Sequence, residues 1–316
     1  TGAVATVDVN KTLDSRPIAD IGRGLQGAVA GVNITIPTGE VGSDPLIKIR
    51  GQVGSISGNN TPLILLDNVE IPSIQMVNPN DVQSISVLKD AASSSIYGSK
   101  AAFGVILITT KSGAQSDKFE ISYSNNFSWQ DPAKKIEIGG IEALQYTLDA
   151  QTNRREPMPA GGFWRISPES LEKAIEWQNL YGGKVKWNDP VVYGRDWFYD
   201  GKDKYGYRLY DGAKAMIKNW TPTMTHNLSV NGKSGKTSYN IGLGYLDQSG
   251  MSKTAKKDDF KRYNASVSVT SEINKYITVR ASSIYSDRNK RYPGIGNTTA
   301  DPWLSLIHIS EPTRPY

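Results

Sequence analysis

Residues 119–130 read FEISYSNNFSWQ, with Phe119, Ile121, Tyr123, Phe127 and Trp129 on odd positions and Glu120, Ser122, Ser124, Asn126 and Ser128 between them. A period of two sends the two sets to opposite faces of a strand. One apolar and one polar face over about 9–11 residues is the template of a strand that crosses a membrane within a closed sheet. The pattern returns at His226, Leu228 and Val230, at Tyr239, Ile241, Leu243 and Tyr245, at Tyr263, Ala265, Val267 and Val269, and at Ile277, Val279, Ala281 and Tyr285. Five strands are therefore expected, with long links after the first and third and short ones after the second and fourth. Barrels of the outer membrane alternate long outside loops with short periplasmic turns, so residues 131–222 and 246–262 are expected outside. The stretches NGKSGKTS and EINKY then face the periplasm, and Trp129 and Trp220 fall at the outer rim, where an aromatic girdle belongs.

Residues 1–113 follow another grammar, alternating short apolar runs with helical patterns. Candidate strands are 3–9, 32–36, 46–49, 63–66, 84–88 and 105–110. Ile18, Ile21, Leu25 and Ala28 lie at helical spacing over 18–28, with Gly31 as terminator. The expectation is a compact α+β domain. Within it, the run from Val105 to Thr109 has the near-continuous apolar character of a strand buried on both faces. Ser93, Ser94 and Ser95 read as small residues of a short helix between two strands, with Asp90 as its cap.

Composition narrows the chemistry. Among 316 residues there is no Cys, which removes disulfides and thiol catalysis, and the net charge of +5 is spread too thinly for a nucleic-acid footprint. No apolar run reaches the roughly 18 residues of a membrane helix. GRGLQG at 22–27 matches a dinucleotide fingerprint in letters, but SRPIAD precedes it where a buried strand is required. GKSGKT at 232–237 lacks the earlier glycine of a phosphate loop, because Val230 stands there, and it reads as a hairpin turn. His226 and His308 are the only histidines, too few for a histidine metal site, and His226 reads as a strand-face residue. The serine run has only Lys89 and Asp90 as local partners, and Asp247, Asp258 and Asp259 sit among Lys253, Lys256, Lys257 and Lys261 in what reads as a solvated loop. No catalytic residue, cofactor site or metal site is expected.

The segment 131–222 is expected to carry its own structure. SPESLEKAIEWQNLYGG offers Ser167 as N-cap, Pro168 at the first helical position, Glu169 in the first turn and Gly182 as terminator. Trp164, Trp177, Trp187 and Trp197 make residues 160–210 densely aromatic. Those rings suit stacking on a sugar ligand, and equally packing of the insertion on itself or against a partner.

LIKIRGQ, NTPLILLDNVEI, NPNDVQSISVLKDAASSSIYGSKAAFGVILITTKSG and HNLSVNGKSGKTSYNIGLGYLDQSG resemble the SusC/RagA type of TonB-dependent outer-membrane transporter, over essentially residues 1–303. The resemblance implies an α+β plug domain at 1–113, followed over 114–303 by the N-terminal antiparallel strands of a large transmembrane β-barrel of about 22 strands, here truncated. It marks Arg50, Gly51, Asp67, Lys89, Asp90, Tyr97, Gly98, Gly104, Thr109 and Lys111 as a plug signature with a structural or gating role. It implies import of a bulky nutrient across the outer membrane, a glycan before a peptide, with a SusD-like surface lipoprotein as lid, TonB as motor and outer-membrane lipid around the wall. A rival reading is a ligand-sensing or surface-binding receptor in which uptake is secondary. The signal peptide and the TonB-contact segment are expected to lie outside this chain. The stretch LSLIHISEPTR breaks the period-two pattern and resembles a translated sequencing adapter, so residues 304–316 are expected to be an artefact of the gene sequence.

Overall fold

The computed structural model describes residues 4–8, 21–35, 40–49, 61–113, 119–132, 140–154, 167–186, 188–199, 201, 204–209, 214, 216–253 and 255–291. Arg50, Gly51, Trp164, Trp187 and the stretch 304–316 lie outside the described residues. The chain divides into two compact units, one of residues 1–131, 220–251 and 257–292, the other of residues 132–219, 252–256 and 293–316.

The first unit opens with β1 (Val4–Asp8), α1 (Ile21–Leu25), β2 (Val32–Thr35), β3 (Leu46–Ile49), β4 (Leu63–Leu66), β5 (Val69–Glu70), β6 (Val82–Leu88), α2 (Ala91–Ser94) and β7 (Val105–Thr110). Five of these strands form a mixed sheet in the order β1-β6-β7-β4-β5, in which only the β4–β7 pairing is parallel, and β2 and β3 pair separately. The central strand β7 is buried on both faces. Ile106 and Ile108 join Ile21, Leu25, Ile47, Ile49, Val82, Ile85 and Val87 in the main core, while Val105 packs with Leu65, Leu88 and Ala101 on the other side, where Tyr97 covers it. An apolar run without alternation therefore belongs to the middle of the sheet.

Local chemistry sets the connections. Asp67 and Asn68 both hold left-handed backbone, φ 47° and 69°, and make the two-residue turn that adds β5 to β4. The Asp67 carboxylate then accepts from the Thr110 amide at 2.9 Å and the Thr110 hydroxyl at 2.6 Å, tying that turn to the end of β7. The helix expected over 18–28 ends earlier than its apolar spacing suggests. It stops at Leu25, and Gly27 turns the chain at φ 76° before Ala28 can extend the pattern. Asp90 occupies the cap position of α2, but its side chain makes no capping bond; its carbonyl instead accepts from the Ser94 amide and from both the Ser93 and Ser94 hydroxyls. Gly98 adopts φ 67°, ψ −154°, a region essentially closed to L residues, with open space where a Cβ would go. Gly98→Ala is accordingly expected to destabilise the domain by about 1–3 kcal/mol through backbone strain alone, read as a lower melting temperature.

The same unit contains the long strands β8 (Glu120–Gln130), β11 (Thr221–Ser234), β12 (Thr237–Ser249), β13 (Asp259–Asn274) and β14 (Ile277–Arg291). They form one antiparallel sheet in the order β14-β13-β12-β11-β8. Two-residue turns at Gly235–Lys236 and Lys275–Tyr276 join β11 to β12 and β13 to β14, and Gly235 has the positive φ such a turn requires. The link after β12 is shorter than expected, because β12 continues to Ser249 and β13 begins at Asp259, leaving residues 250–258 in place of 246–262. Asp247, Gln248 and Lys261 look like loop residues by polarity but remain in the ladder, where their backbones pair as any residues' would. Asp247 is bonded to Lys261 at 3.0 Å and Asp259 to Arg291 at 2.7 Å, and no cluster suited to a metal exists among the described residues.

Cross-strand register keeps one face apolar throughout. Val230 lies opposite Ile121 and Ile241, Leu228 opposite Tyr123 and Leu243, and Val267 opposite Ile241. Most of these side chains are exposed, Tyr123 to 60%, Leu243 to 49% and Tyr285 to 65%, so the sheet presents a continuous apolar surface of the kind a soluble monomer does not carry. Tyr123, His226, Tyr245 and Tyr263 form a row of adjacent rings across it, with the Tyr123 hydroxyl 2.7 Å from His226 Nδ1. Trp129 and Trp220 are exposed at the strand ends away from the two-residue turns. No described helix is long and apolar enough to cross a membrane, which says nothing of strands.

The second unit is built on α3 (Ile141–Arg154), α4 (Pro168–Tyr181) and the small hairpin β9 (Trp197–Tyr199) with β10 (Lys204–Gly206). Ser167 caps α4 through a reciprocal bond with Ser170, Pro168 takes the first helical position and Gly182 ends the helix.

Candidate functional site: the seam between the N-terminal domain and the long sheet

The polar face of the long sheet is where the two parts of the first unit meet. Inward-pointing side chains of β11, β13 and β14 reach one strip of the N-terminal domain, residues 40–44 and 73–81. Asn227 of β11 accepts from Asn78 Nδ2 at 3.0 Å. From β13, Arg262 donates to the Gln75 carbonyl at 3.0 Å, Asn264 to the Met76 carbonyl at 2.7 Å and Ser266 to the Asp81 carboxylate at 2.9 Å. From β14, Arg288 donates to Ser73 Oγ at 2.7 Å, and Lys290 meets Glu40 at 2.7 Å and Ser43 at 2.8 Å. Among the described residues, apolar contact is made by Ile284 against the main core and by Phe260 with Val41 and Leu246.

The strip is shaped before it meets the sheet. Residues 74–76 and 79–81 are short 3-10 turns, capped by the Ser73 hydroxyl on the Gln75 amide and by Asn78 Oδ1 on the Asn80 amide, with Pro79 fixing the second turn. Lys111, just past β7, donates its amide to the Asp81 carbonyl at 2.8 Å. Burial raises the Asp81 carboxyl above its ordinary value, against the Ser266 bond and the positive charges of Lys111 and Arg262, which favour the ionised form. A raised carboxylate stabilises the assembly at pH below the ordinary value of 3.8 and loses that contribution as pH rises through the raised one. At neutral pH the ionised Asp81 is thus held in the seam at a free-energy cost.

A protein-family model, the TonB-dependent Receptor Plug Domain, matches residues 1–105. The chain is 29% identical over 308 residues to TonB-dependent receptor P26 of Formosa agariphila and 26% identical over 301 residues to TonB-dependent receptor SusC of Bacteroides thetaiotaomicron, covering 95% and 92% of itself. A solved structure of the RagAB peptide importer in its closed-closed state superposes with a TM-score of 0.65 at 29% identity, over 92% of this chain and 31% of that one. The chain carries a TonB-dependent receptor plug domain and is similar over nearly its whole length to receptors of the SusC/RagA type. It spans about a quarter of the length of the curated relatives, 26% of P26 and 24% of SusC. Its first part is a plug and its long antiparallel strands are wall strands of a β-barrel of that family.

The plug places the described signature residues in separate positions. Lys89 donates to the Ala30 carbonyl at 2.6 Å, Tyr97 covers the smaller core cluster, and Thr109 pairs opposite Ser84 in the sheet. Gly104 has φ +92°, and a Cβ there would lie 2.7 Å from Ile49 Cδ1 and 3.1 Å from the Leu88 carbonyl oxygen. Ser93, Ser94 and Ser95 spend their hydroxyls on backbone carbonyls one turn back. The seam residues Asn78 and Asp81 were not among the signature residues singled out from the sequence. Asn78-Pro79 carries the cap-and-proline signal of a helical turn, and small residues at Gly242 and Gly244 on the polar side of β12 signal close backbone approach.

In the other unit, Trp177 is buried and donates from Nε1 to Asp196 at 2.9 Å. Asp196 also accepts from Arg195, from the Val192 amide and from Arg208. Burial alone would raise the Asp196 carboxyl, but Arg195, the Val192 amide and the Trp177 indole together hold it below its ordinary value. Trp197 is half-buried against Tyr193, with Lys204 over its ring. An open groove of about 360 Å³ beside α4 is lined by residues including Glu169, Lys173, Tyr181, Arg195, Phe198 and Tyr207.

Proposed function

We propose that the chain forms the plug, residues 1–113, and from residue 114 the opening wall strands with an outside insertion at 131–222, of a receptor that imports a bulky nutrient across the outer membrane. The carrying observation is the two-faced sheet: its polar face is bonded to the plug from Asn227 to Lys290, and its opposite face is an exposed apolar surface edged by tryptophans. That is the arrangement of a wall with lipid outside and a stoppered lumen inside. Transport rests on no covalent chemistry. A ligand held between a SusD-like lipoprotein lid and the plug would favour one plug arrangement, and TonB, pulling from the periplasm, would bias the plug toward an open one. The cargo we assign is an oligosaccharide, with a peptide as the second choice, the latter because the RagAB neighbour is named a peptide importer.

The test is uptake by cells expressing the full-length receptor with its lipoprotein, offered labelled oligosaccharides and labelled peptides, with and without a protonophore. Energy-dependent accumulation of oligosaccharide is the expected result. Accumulation of peptides alone would reassign the cargo, and surface binding without accumulation would favour the sensing receptor.

A further inference from the structure

Gly242 and Gly244 of β12 lie two apart on the polar face, separated by Leu243 on the apolar one. Neither has the positive φ that requires glycine, so their lack of a side chain serves space, not backbone. A Cβ on Gly242 would stand 2.5 Å from Asp81 Oδ1 and equally close to Ser266 Oγ of β13, and one on Gly244 would stand 2.5 Å from Asn78 Nδ2. The wall is thus notched where the plug turn enters. Asn227 on one side of the notch and Ser266 on the other hold the two side chains that fill it.

We propose that the Gly242/Gly244 notch is a keyed seat that fixes the register of the plug within the wall, with Asn78 and Asp81 as the key. Apolar packing is non-directional and would tolerate a plug rotated or shifted along the strands, whereas hydrogen bonds constrain distance and angle. The key is rigid on its own account: Pro79, the Asn78 cap and the bond from the Lys111 amide set the turn without help from the wall. Asp81 is therefore a positioning residue, and any change that fills the notch should displace the turn while leaving the plug's core and the wall's ladder intact. This inference rests on the reading of the long sheet as a barrel wall.

The experiment uses the full-length receptor in outer membranes, with two readouts: heat-modifiable electrophoretic mobility for the folded barrel, and the rate at which added protease cleaves the plug. Gly242→Val should leave the mobility shift intact and raise plug cleavage about tenfold, a coupling typical of residues in contact. Adding Asp81→Ala to Gly242→Val removes the plug atom the valine strikes and frees the Ser266 hydroxyl to turn aside, and should bring cleavage down to the level of Asp81→Ala alone, above the parent because the bond to Ser266 is lost. A glycine needed only for strand structure would give no such rescue. As a second variant, Asp81→Cys with Gly242→Cys places two thiols where the Cβ of position 242 lies 3.0 Å from Asp81 Cγ. The Cβ atoms are then within about 4.5 Å, inside the reach of a disulfide. Oxidation should link most molecules, with no native cysteine among the 316 residues to compete. Unchanged cleavage in Gly242→Val, absence of rescue, or no disulfide in a folded barrel would overturn the seat. If the parent receptor itself showed no barrel mobility, the wall reading would fail and the seat with it.

Discussion

Gly104→Val is expected to unfold the plug. The backbone at φ +92° strains any L residue by about 1–3 kcal/mol. The side chain would also be driven into Ile49 Cδ1 and toward the Leu88 carbonyl, a backbone atom that cannot swing aside, adding about 1–3 kcal/mol of overpacking. Against a domain stability of about 5–15 kcal/mol, the combined loss of about 2–6 kcal/mol removes much or all of the margin. Hydrogen exchange is the measurement: amides of β4, β6 and β7 should lose protection in the full-length receptor. The contrast with Gly98, where a Cβ meets nothing, is the control, because the two glycines share a positive φ and differ in space. Equal effects at both positions would rule out close packing as the reason for Gly104.

Asp196→Ala is expected to collapse the core of the insertion. Arg208 is 2% exposed and lies beside a carboxylate that is fully buried, so truncating the acid removes a buried counter-charge from a guanidinium that keeps its bonds to the Asp189 and Lys186 carbonyls, at a cost of about 3–5 kcal/mol. The Trp177 indole loses its acceptor in the same step. Protease sensitivity across residues 168–208 is the readout, and Asp196→Asn should lie between parent and alanine, because an amide oxygen still accepts from the indole. The pH dependence has a definite sign. Since the carboxyl is held below its ordinary value of 3.8, its stabilisation is fully present above that value and is lost as the pH falls through the lowered one. Insertion stability should therefore be flat from neutrality to about pH 5 on account of this group and fall only in strong acid. A loss near pH 6 would point to a different group.

Alternation carried most of what was legible in the sequence. The apolar positions of all five wall strands, the hairpin turn at Gly235 and the capped helix after Ser167 follow from period, turn chemistry and capping, each of which acts within a few residues. The ends of β12 and β13 were not legible, because backbone pairing continues past the point where side chains turn polar. The fine structure of the seam was equally hidden. Asp81 looks like any acidic turn residue until Ser266, 185 positions later, is brought beside it, and Gly242 looks like a gap in an alternating strand until the plug fills the opposite space. Asp196 carries no local signal, because an acidic residue between an arginine and a tryptophan reads as a solvated loop position. Its own role depends on Trp177 and Arg208 meeting it in three dimensions, and the burial of Trp177 makes that ring a core element of the insertion.

The chemistry of the seam also sets its thermal signature. Exposing apolar surface raises heat capacity and exposing polar surface lowers it. Among the described residues, the plug meets these wall strands mainly through amides, carbonyls, carboxylates and cations, with Ile284 and the small Phe260 cluster as apolar contact. Drawing the plug off the wall should thus carry a heat-capacity change near zero, in contrast to the large positive change of unfolding the plug itself. The enthalpy and entropy of parting them would then be nearly constant, so the strength of the seam would follow a straight line with temperature, without the curved optimum that the plug's own core must show.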